Sequence, residues 1–380
     1  MEAQGRVDGL LLAGVDSLVV GWPVYSFLFS EEQREALSTA KKTAGQSLFG
    51  SDGAAFNWFG QDFSMKASGA KGYEWIFGNG DLNIRLAAEA RGGKVFPEVY
   101  VKFGSGFLWR VGHENAWSAT QDWLSTWATI GEGKVSRADL CSDFAIPLPD
   151  IDLGRELVSR GRKRGKRSEV DMSEVAAWQK GLKETGYQVG KGDLMARIYN
   201  KREELLHTKK LWFEGLWREN GWDGDAPVTR FEFQFRRKAL KQFNIESPRD
   251  LEWQRSELWA YATEEWMTVR ECSADRNRAR WPVKQFWADV QSVGASLGMR
   301  TGITRFALSR PQYDMLLVQL RGLMKTMMAL DTNNLGSESL ALKRLEVEFE
   351  RVKNDPDFMV ESRGRAAKLS YMTVPGLKAP

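Results

Sequence analysis

Residues 229–237 read Thr229-Arg230-Phe231-Glu232-Phe233-Gln234-Phe235-Arg236-Arg237, TRFEFQFRR. Side chains on a strand alternate between its two faces. Phe231, Phe233 and Phe235 therefore share one face, and Arg230, Glu232, Gln234 and Arg236 share the other. That pattern is a half-buried strand. Three further stretches alternate in the same way. In SRADLCSDF (136–144), Arg137, Asp139, Cys141 and Asp143 lie together, opposite Ala138 and Leu140. In LMARIYNK (194–201), Arg197, Tyr199 and Lys201 oppose Leu194, Ala196 and Ile198. In EVYVKF (98–103), Glu98, Tyr100 and Lys102 oppose Val99, Val101 and Phe103.

Joined with their apolar faces against helices, these strands predict an α+β protein with a central antiparallel sheet and helices on one face. The opposite face then collects Arg, Asp, Glu and Tyr. On the residues alone this is either a solvated surface of cross-strand ion pairs or a working site. The composition favours a site, because short Asp and planar Arg concentrate near the strand middles. Carboxylates on adjacent strands can hold a hard divalent cation through oxygen. Neighbouring arginine forks match the oxygens of phosphate.

The bulk composition sets limits on function. A chain of 380 residues with 27% charged and 42% hydrophobic residues belongs with soluble globular proteins of two or three domains. Its net charge of +4 is too small to identify a nucleic-acid binder. Two cysteines, Cys141 and Cys272, and two histidines, His113 and His207, exclude a disulfide scaffold and a multi-Cys or His-rich metal centre. The 16 tryptophans serve either as core anchors or as base-stacking surfaces. The apolar run 10–22 is interrupted by Asp16 and follows acidic Glu2 and Asp8, so it reads as neither signal peptide nor membrane span. A cytoplasmic protein is expected.

Along the chain, glycine-separated strands fill the first 110 residues or so, and a tryptophan-bearing helix is predicted over 114–129. Strands and helices alternate from about residue 95 to 240, with helices expected over 151–165 and across 202–220 as one piece. Beyond Phe243 the pattern turns helical, which places a boundary near residue 245 and an all-helical region after it.

The motifs RADLCSDF (137–144), RIYNKREE (197–204) and TRFEFQFRR (229–237), in that order and spacing, resemble the Rep_trans family of plasmid rolling-circle replication initiators and related relaxases. The resemblance spans about residues 70–245. It implies a distantly HUH-endonuclease-like enzyme that nicks and rejoins DNA with Mg²⁺ or Mn²⁺. Residues 1–245 would form the catalytic domain, and 246–380 a helical domain for DNA or partner binding. The family nucleophile falls on Tyr199, flanked by Arg197 and Lys201 as catalytic residues. The motif acids fall on Asp139 and Glu232 as metal ligands. Asp143 matches the motif as a third ligand, with His113 as the other candidate. Single-stranded or hairpin origin DNA is the implied partner, together with a host superfamily 1 helicase and a second copy of the chain; no membrane partner is expected. Members of the family often carry a serine-rich turn where this chain has GYQVGKGD (186–193).

A free tyrosine has a pKa near 10, so about one molecule in a thousand is phenolate at pH 7, a deficit of about 4 kcal/mol. A divalent ion together with Arg197 and Lys201 is expected to lower that pKa. Tyr100 and Tyr187 are alternative nucleophiles. DNA contacts are expected from Arg137, Arg230 and Arg236 on the sheet. The basic run 160–167 would add phosphate contacts from Arg162, Lys163, Arg164, Lys166 and Arg167. Two other readings stay open: an origin-binding initiator without catalysis, and a primase-like nucleotidyl transferase using the paired acids.

Overall fold

A computed structural model describes residues 7–46, 53–160, 164–167, 185–208, 210–298, 309–335 and 337–358. Arg162 and Lys163 of the basic run lie outside the described residues. The chain divides into two compact units, one ending at Arg305 and one beginning at Phe306.

The first unit contains fifteen strands among its described residues. They are β1 (Leu10–Trp22), β2 (Val24–Phe27), β3 (Ala54–Trp58), β4 (Gln61–Met65), β5 (Trp75–Gly78), β6 (Leu82–Leu86), β7 (Val99–Phe103) and β8 (Ala128–Ile130). There follow β9 (Lys134–Phe144), β10 (Leu157–Ser159), β11 (Arg164–Arg167), β12 (Gly186–Val189), β13 (Leu194–Asn200), β14 (Thr229–Arg236) and β15 (Met267–Val269). Its α-helices are α1 (Glu31–Gln46), α2 (Ser105–Val111), α3 (His113–Ser125), α4 (Lys201–Thr208), α5 (Trp212–Glu219), α6 (Arg237–Lys241), α7 (Pro248–Ala260) and α8 (Gln285–Ser292). Eleven strands make one sheet in the order β11-β12-β13-β14-β9-β1-β7-β6-β5-β4-β3, every recorded pairing antiparallel. The protein is therefore α+β on a large antiparallel sheet, as the alternating patterns predict.

The alternation of β14 is realised in full. Phe231, Phe233 and Phe235 are completely buried in the main core, where Phe233 meets Trp259 edge-on at 5.2 Å. Each such phenylalanine contributes about 1.5–3 kcal/mol by leaving water. Helices α1, α3 and α7 pack on this apolar face. Five of the tryptophans, Trp22, Trp127, Trp217, Trp259 and Trp287, are entirely buried and serve as core anchors.

The central strand β1 carries no clean alternation. Its residues are buried on both sides, and its register against β9 shifts at three places, one of them between Val15 and Ser17. Such irregularities re-aim side chains. Here the shift accompanies the turning of Asp16 out of the core and toward Arg230.

Several local expectations change. Of the helix expected over 151–165, residues 151–160 are not helical, because the Asp152 carboxylate accepts from the backbone of Gly154 and Arg155 in a side-chain-made turn. Residues 161–163 lie outside the described residues. Leu157 then pairs with Val269 as part of β10–β15. The helix expected across 202–220 is two, α4 and α5. After α7, which Ser247 and Asp250 start with a reciprocal capping box, a π-helical turn over Tyr261–Trp266 leads into β15.

The compact division falls at Arg305 rather than near 245. Helical composition alone does not say what a helix packs on. Leu251, Leu258, Trp259, Trp287 and Val290, on α7 and α8, share the core of the sheet. The second unit consists, among its described residues, of α9 (Ser309–Leu335) and α10 (Glu338–Lys353), with Arg344 paired to Asp331 at 3.1 Å. No helix among the described residues is long and apolar enough to cross a membrane.

Candidate active site

The second face of the sheet is polar, and part of it is not wet. Helices α2, α4 and α5 close over part of it, sealing a small core of Leu11, Leu205, Phe213, Trp217, Trp222 and Val228. Arg230, Gln234, Asp139 and Asp143 are consequently buried to 2% exposure or less. Helices thus cover the apolar face broadly and the polar face locally, and a dry polar floor is left beneath the local cover.

Register lays the residues out as a grid over β9, β14 and β13. Asp143, Arg230 and Tyr199 form one row, Cys141, Glu232 and Arg197 the next, and Asp139, Gln234 and Met195 the third. Arg197 Nη1 lies 2.5 Å from Glu232 Oε1. The Tyr199 hydroxyl donates to Glu232 Oε2 at 3.0 Å. Asp139 is held in the fork of Arg137, with Nε to Oδ1 at 2.8 Å. Lys201 pairs with Glu204 and stands 5.7 Å from the Tyr199 ring centroid.

These groups line a cavity of about 420 Å³. Of the sequence candidates, Tyr199, Arg197, Lys201, Asp139, Glu232 and Arg137 all face it. Lys102, Lys210 and Trp212 line it as well, and the Trp212 ring stacks on Phe213 at 4.0 Å.

Other candidates are placed elsewhere. Asp143 is fully buried and does not line the cavity. Its two oxygens take Arg230 Nε at 2.5 Å and Nη2 at 2.8 Å, and the second also takes the Trp217 indole N–H at 2.9 Å. It anchors the floor and is not in position to be a third metal ligand. Arg230 has no exposed surface, so it cannot be a DNA contact; it bridges Asp143 to Asp16, with Nη1 2.9 Å from Asp16 Oδ1. His113 on α3 pairs with Glu252 on α7, outside the cavity lining. Tyr187 is buried with its hydroxyl accepting from the Ile151 backbone, and Tyr100 lies outside this cavity. Arg236 is exposed on the same face, beyond the cavity lining. Arg164, Lys166 and Arg167 have backbone on β11 at the sheet's edge.

Asp16 is the main residue that the motifs miss. It accepts from Ser105 Oγ and from the Trp109 indole N–H, both at 2.9 Å, in addition to its pairing with Arg230. Burial opposes its charge, but Arg230 and Lys201 outweigh burial and hold its carboxyl well below the usual range. The available signal was an acid inside an otherwise apolar strand.

The electrostatics reverse one expectation. Burial, reinforced by the negative charge of Glu232, pushes the Tyr199 hydroxyl well above its ordinary value. The flanking cations do not supply a ready phenolate. For Glu232, burial opposes ionisation, but Arg197 outweighs it and the pKa is lowered. An ionised carboxylate therefore accepts the hydrogen bond of a neutral phenol, which is the geometry of a general base. Burial and the charge of Glu232 raise Asp139 to about 6, against the opposing hydrogen bonds of Arg137.

That shift has a consequence for stability. A carboxyl raised in the folded state favours folding most below its ordinary value near 3.8, and the benefit is lost as pH rises through about 6. Asp139→Asn, neutral at every pH, is expected to be more stable than the parent by about 1–3 kcal/mol at pH 8. The gain should vanish near pH 4. Urea denaturation in chelator at both pH values checks this, and equal gains at the two would refute it.

A divalent cation fits the donor set. Asp139 and Glu232 face the same cavity, and Asp139 stays destabilised as an anion despite its arginine. The buried Ser17 Oγ, which also lines the cavity, has no hydrogen-bond partner among the described residues and is a further oxygen. Mg²⁺ keeps several waters and needs only one or two carboxylates beside substrate phosphate. No cluster of three His, Cys, Asp or Glu suited to a metal occurs among the described residues.

No family model and no curated protein sequence matches the chain. Among solved structures, the fold is similar to that of a rolling circle replication initiator protein from Geobacillus stearothermophilus, with a TM-score of 0.42 and 17% identity. The similarity covers 78% of this chain and 99% of that one.

Proposed function

We propose that this protein is a rolling-circle replication initiator, or a related relaxase, that nicks and rejoins single-stranded origin DNA through Tyr199. The observation that carries the reading is the Tyr199–Glu232 hydrogen bond in a cavity whose walls bear Lys102, Arg137, Arg197, Lys201 and Lys210. A phenol beside a carboxylate base and ringed by cations suits attack on a phosphodiester.

In the step, Tyr199 Oη forms a bond to phosphorus as its proton passes to Glu232. The P–O3′ bond breaks, leaving a 5′-phosphotyrosine and a 3′-hydroxyl once the departing oxygen takes up a proton. Arg197 orients Glu232, and Arg137 and Lys201 lend positive charge to the phosphate. Asp139 and Glu232 are the residues that would hold Mg²⁺ or Mn²⁺, which when bound neutralises charge on the phosphate. The phosphotyrosine keeps the bond energy, so a returning 3′-hydroxyl can reseal the strand.

The test is covalent attachment of labelled single-stranded origin DNA on a denaturing gel, with and without chelator. Wild type is expected to form the adduct only with metal present. Asp139→Ala and Glu232→Ala are expected to keep DNA binding and lose at least about 100-fold in cleavage. Nucleotide incorporation without any adduct would replace this reading with a primase-like one. Origin binding without either activity would replace it with a non-catalytic initiator. A host helicase, a homodimer and a DNA-binding role for residues 246–380 remain part of the proposal.

A further inference from the structure

The polar face of the sheet does not end at the catalytic cavity. Register sets Arg236, Arg137, Val19, Lys102 and Asn83 in one row across β14, β9, β1, β7 and β6. Tyr100 and Arg85 are paired on the same edge of this row. These residues line a second cavity of about 330 Å³, and two of them, Lys102 and Arg137, line the catalytic cavity as well. The two spaces therefore adjoin.

Arg236 faces Arg137 across β14 and β9, with Lys102 and Arg85 close by. Burial and the charge of Arg137 push the Lys102 pKa down, which reflects the same crowding. Arg137 is already forked by Asp139, and Arg236, Lys102 and Arg85 bring three further cations to the same cavity. Aromatic surface lies within it: the Arg85 guanidinium stands 5.6 Å from the Tyr100 ring centroid, and the Tyr73 ring is 6.2 Å from it. Past Tyr73 the next cavity is mixed in charge, lined by Glu74, Glu89, Glu98 and Arg91, with Arg91 paired to Glu89 and Lys41 to Glu74.

We propose that this second cavity is a subsite for the single strand flanking the scissile phosphate. Arg85, Arg236 and Lys102 grip its backbone, and Tyr100 stacks one base. The inference rests on the nicking reading and deepens it by giving the strand a path. That path leaves the catalytic cavity over Lys102 and runs along Arg85 toward Tyr100. A single strand is required, because a base paired inside a duplex cannot lie on a tyrosine ring.

Anisotropy with labelled oligothymidine of roughly twelve nucleotides tests the subsite, in a Tyr199→Phe background so that chemistry does not consume the complex. Arg85→Ala, at an exposed position, is expected to weaken binding several-fold. It should also flatten the log K against log salt slope by about 0.7. Tyr100→Leu should weaken binding by about 5- to 100-fold, with Tyr100→Phe close to the parent. If Arg85→Ala and Tyr100→Leu, each with parental melting, both keep parental affinity and slope, the subsite is wrong. Adduct formation by the Tyr199 protein would then leave the nicking reading standing. If the parent neither binds oligothymidine nor forms an adduct, both inferences fall.

Discussion

Tyr199→Phe should abolish covalent attachment to single-stranded DNA, by at least about 1000-fold, while leaving non-covalent binding near the parental level. The substitution removes one oxygen, the atom that would bond to phosphorus, and among the described residues no other phenol lines the cavity. The ring position is retained, as are the Lys201 contact to the ring and the Arg197–Glu232 pair. Glu232 loses one hydrogen bond, at a cost of about 1–3 kcal/mol, which a large core can absorb. Because Tyr199 is held neutral and Glu232 ionised, and Asp139 of the metal-free site keeps its proton up to about 6, the metal concentration needed for half-maximal rate should fall as pH rises toward that value. No inflection from a lowered tyrosine pKa should follow below pH 9. An adduct that persists in the phenylalanine variant at wild-type yield would sink the assignment, and peptide mapping would then show whether Tyr100 carries the DNA.

Arg230→Met should cost the protein about 3–5 kcal/mol, measured as a shift in its urea midpoint at unchanged slope. Arg230 is wholly enclosed, forks Asp143, reaches Asp16 and lies 4.8 Å from the Phe213 ring centroid. Methionine fills the space but strands the Asp143 carboxylate away from water and takes its ion-pair partner from Asp16. Arg230→Lys should recover little, because a single ammonium cannot fork Asp143 and reach Asp16 together. Adding Asp143→Asn to Arg230→Met should recover part of the loss by removing one stranded charge. A loss under about 1 kcal/mol for Arg230→Met would mean that the floor of the site is not held by this residue.

Much of the site was legible because a strand's period is two. The alternation in residues 136–144, 194–201 and 229–237 assigns Arg137, Asp139, Arg197, Tyr199, Lys201 and Glu232 to a shared face, and all six line one cavity. Alternation cannot distinguish members of that face from one another. Asp143 and Asp139 occupy equivalent positions in the pattern, yet one is enclosed by Arg230 and Trp217 and the other faces the cavity. Which of them is covered depends on where α4 and α5 dock, and helices over 202–220 say nothing of that by themselves. Strand β1 was illegible for a related reason. A strand buried on both sides shows an unbroken apolar run, and irregular register re-aims its one acid in a way that no periodicity records.

Residue order by itself determined the antiparallel strands, the division of their side chains into apolar and polar sets, and the grouping of a tyrosine with two acids and several cations. Those follow from local backbone geometry, which each segment carries independently of the rest. Only the tertiary structure decided that the polar face is dry where helices cover it, that Arg230 and Asp143 support the site from beneath, and that Asp16 joins them. It also decided that Tyr199 is a neutral phenol beside an ionised Glu232. Desolvation depends on what distant segments lay over a group. The same Arg, Asp and Tyr would be an ordinary wet surface on an uncovered sheet.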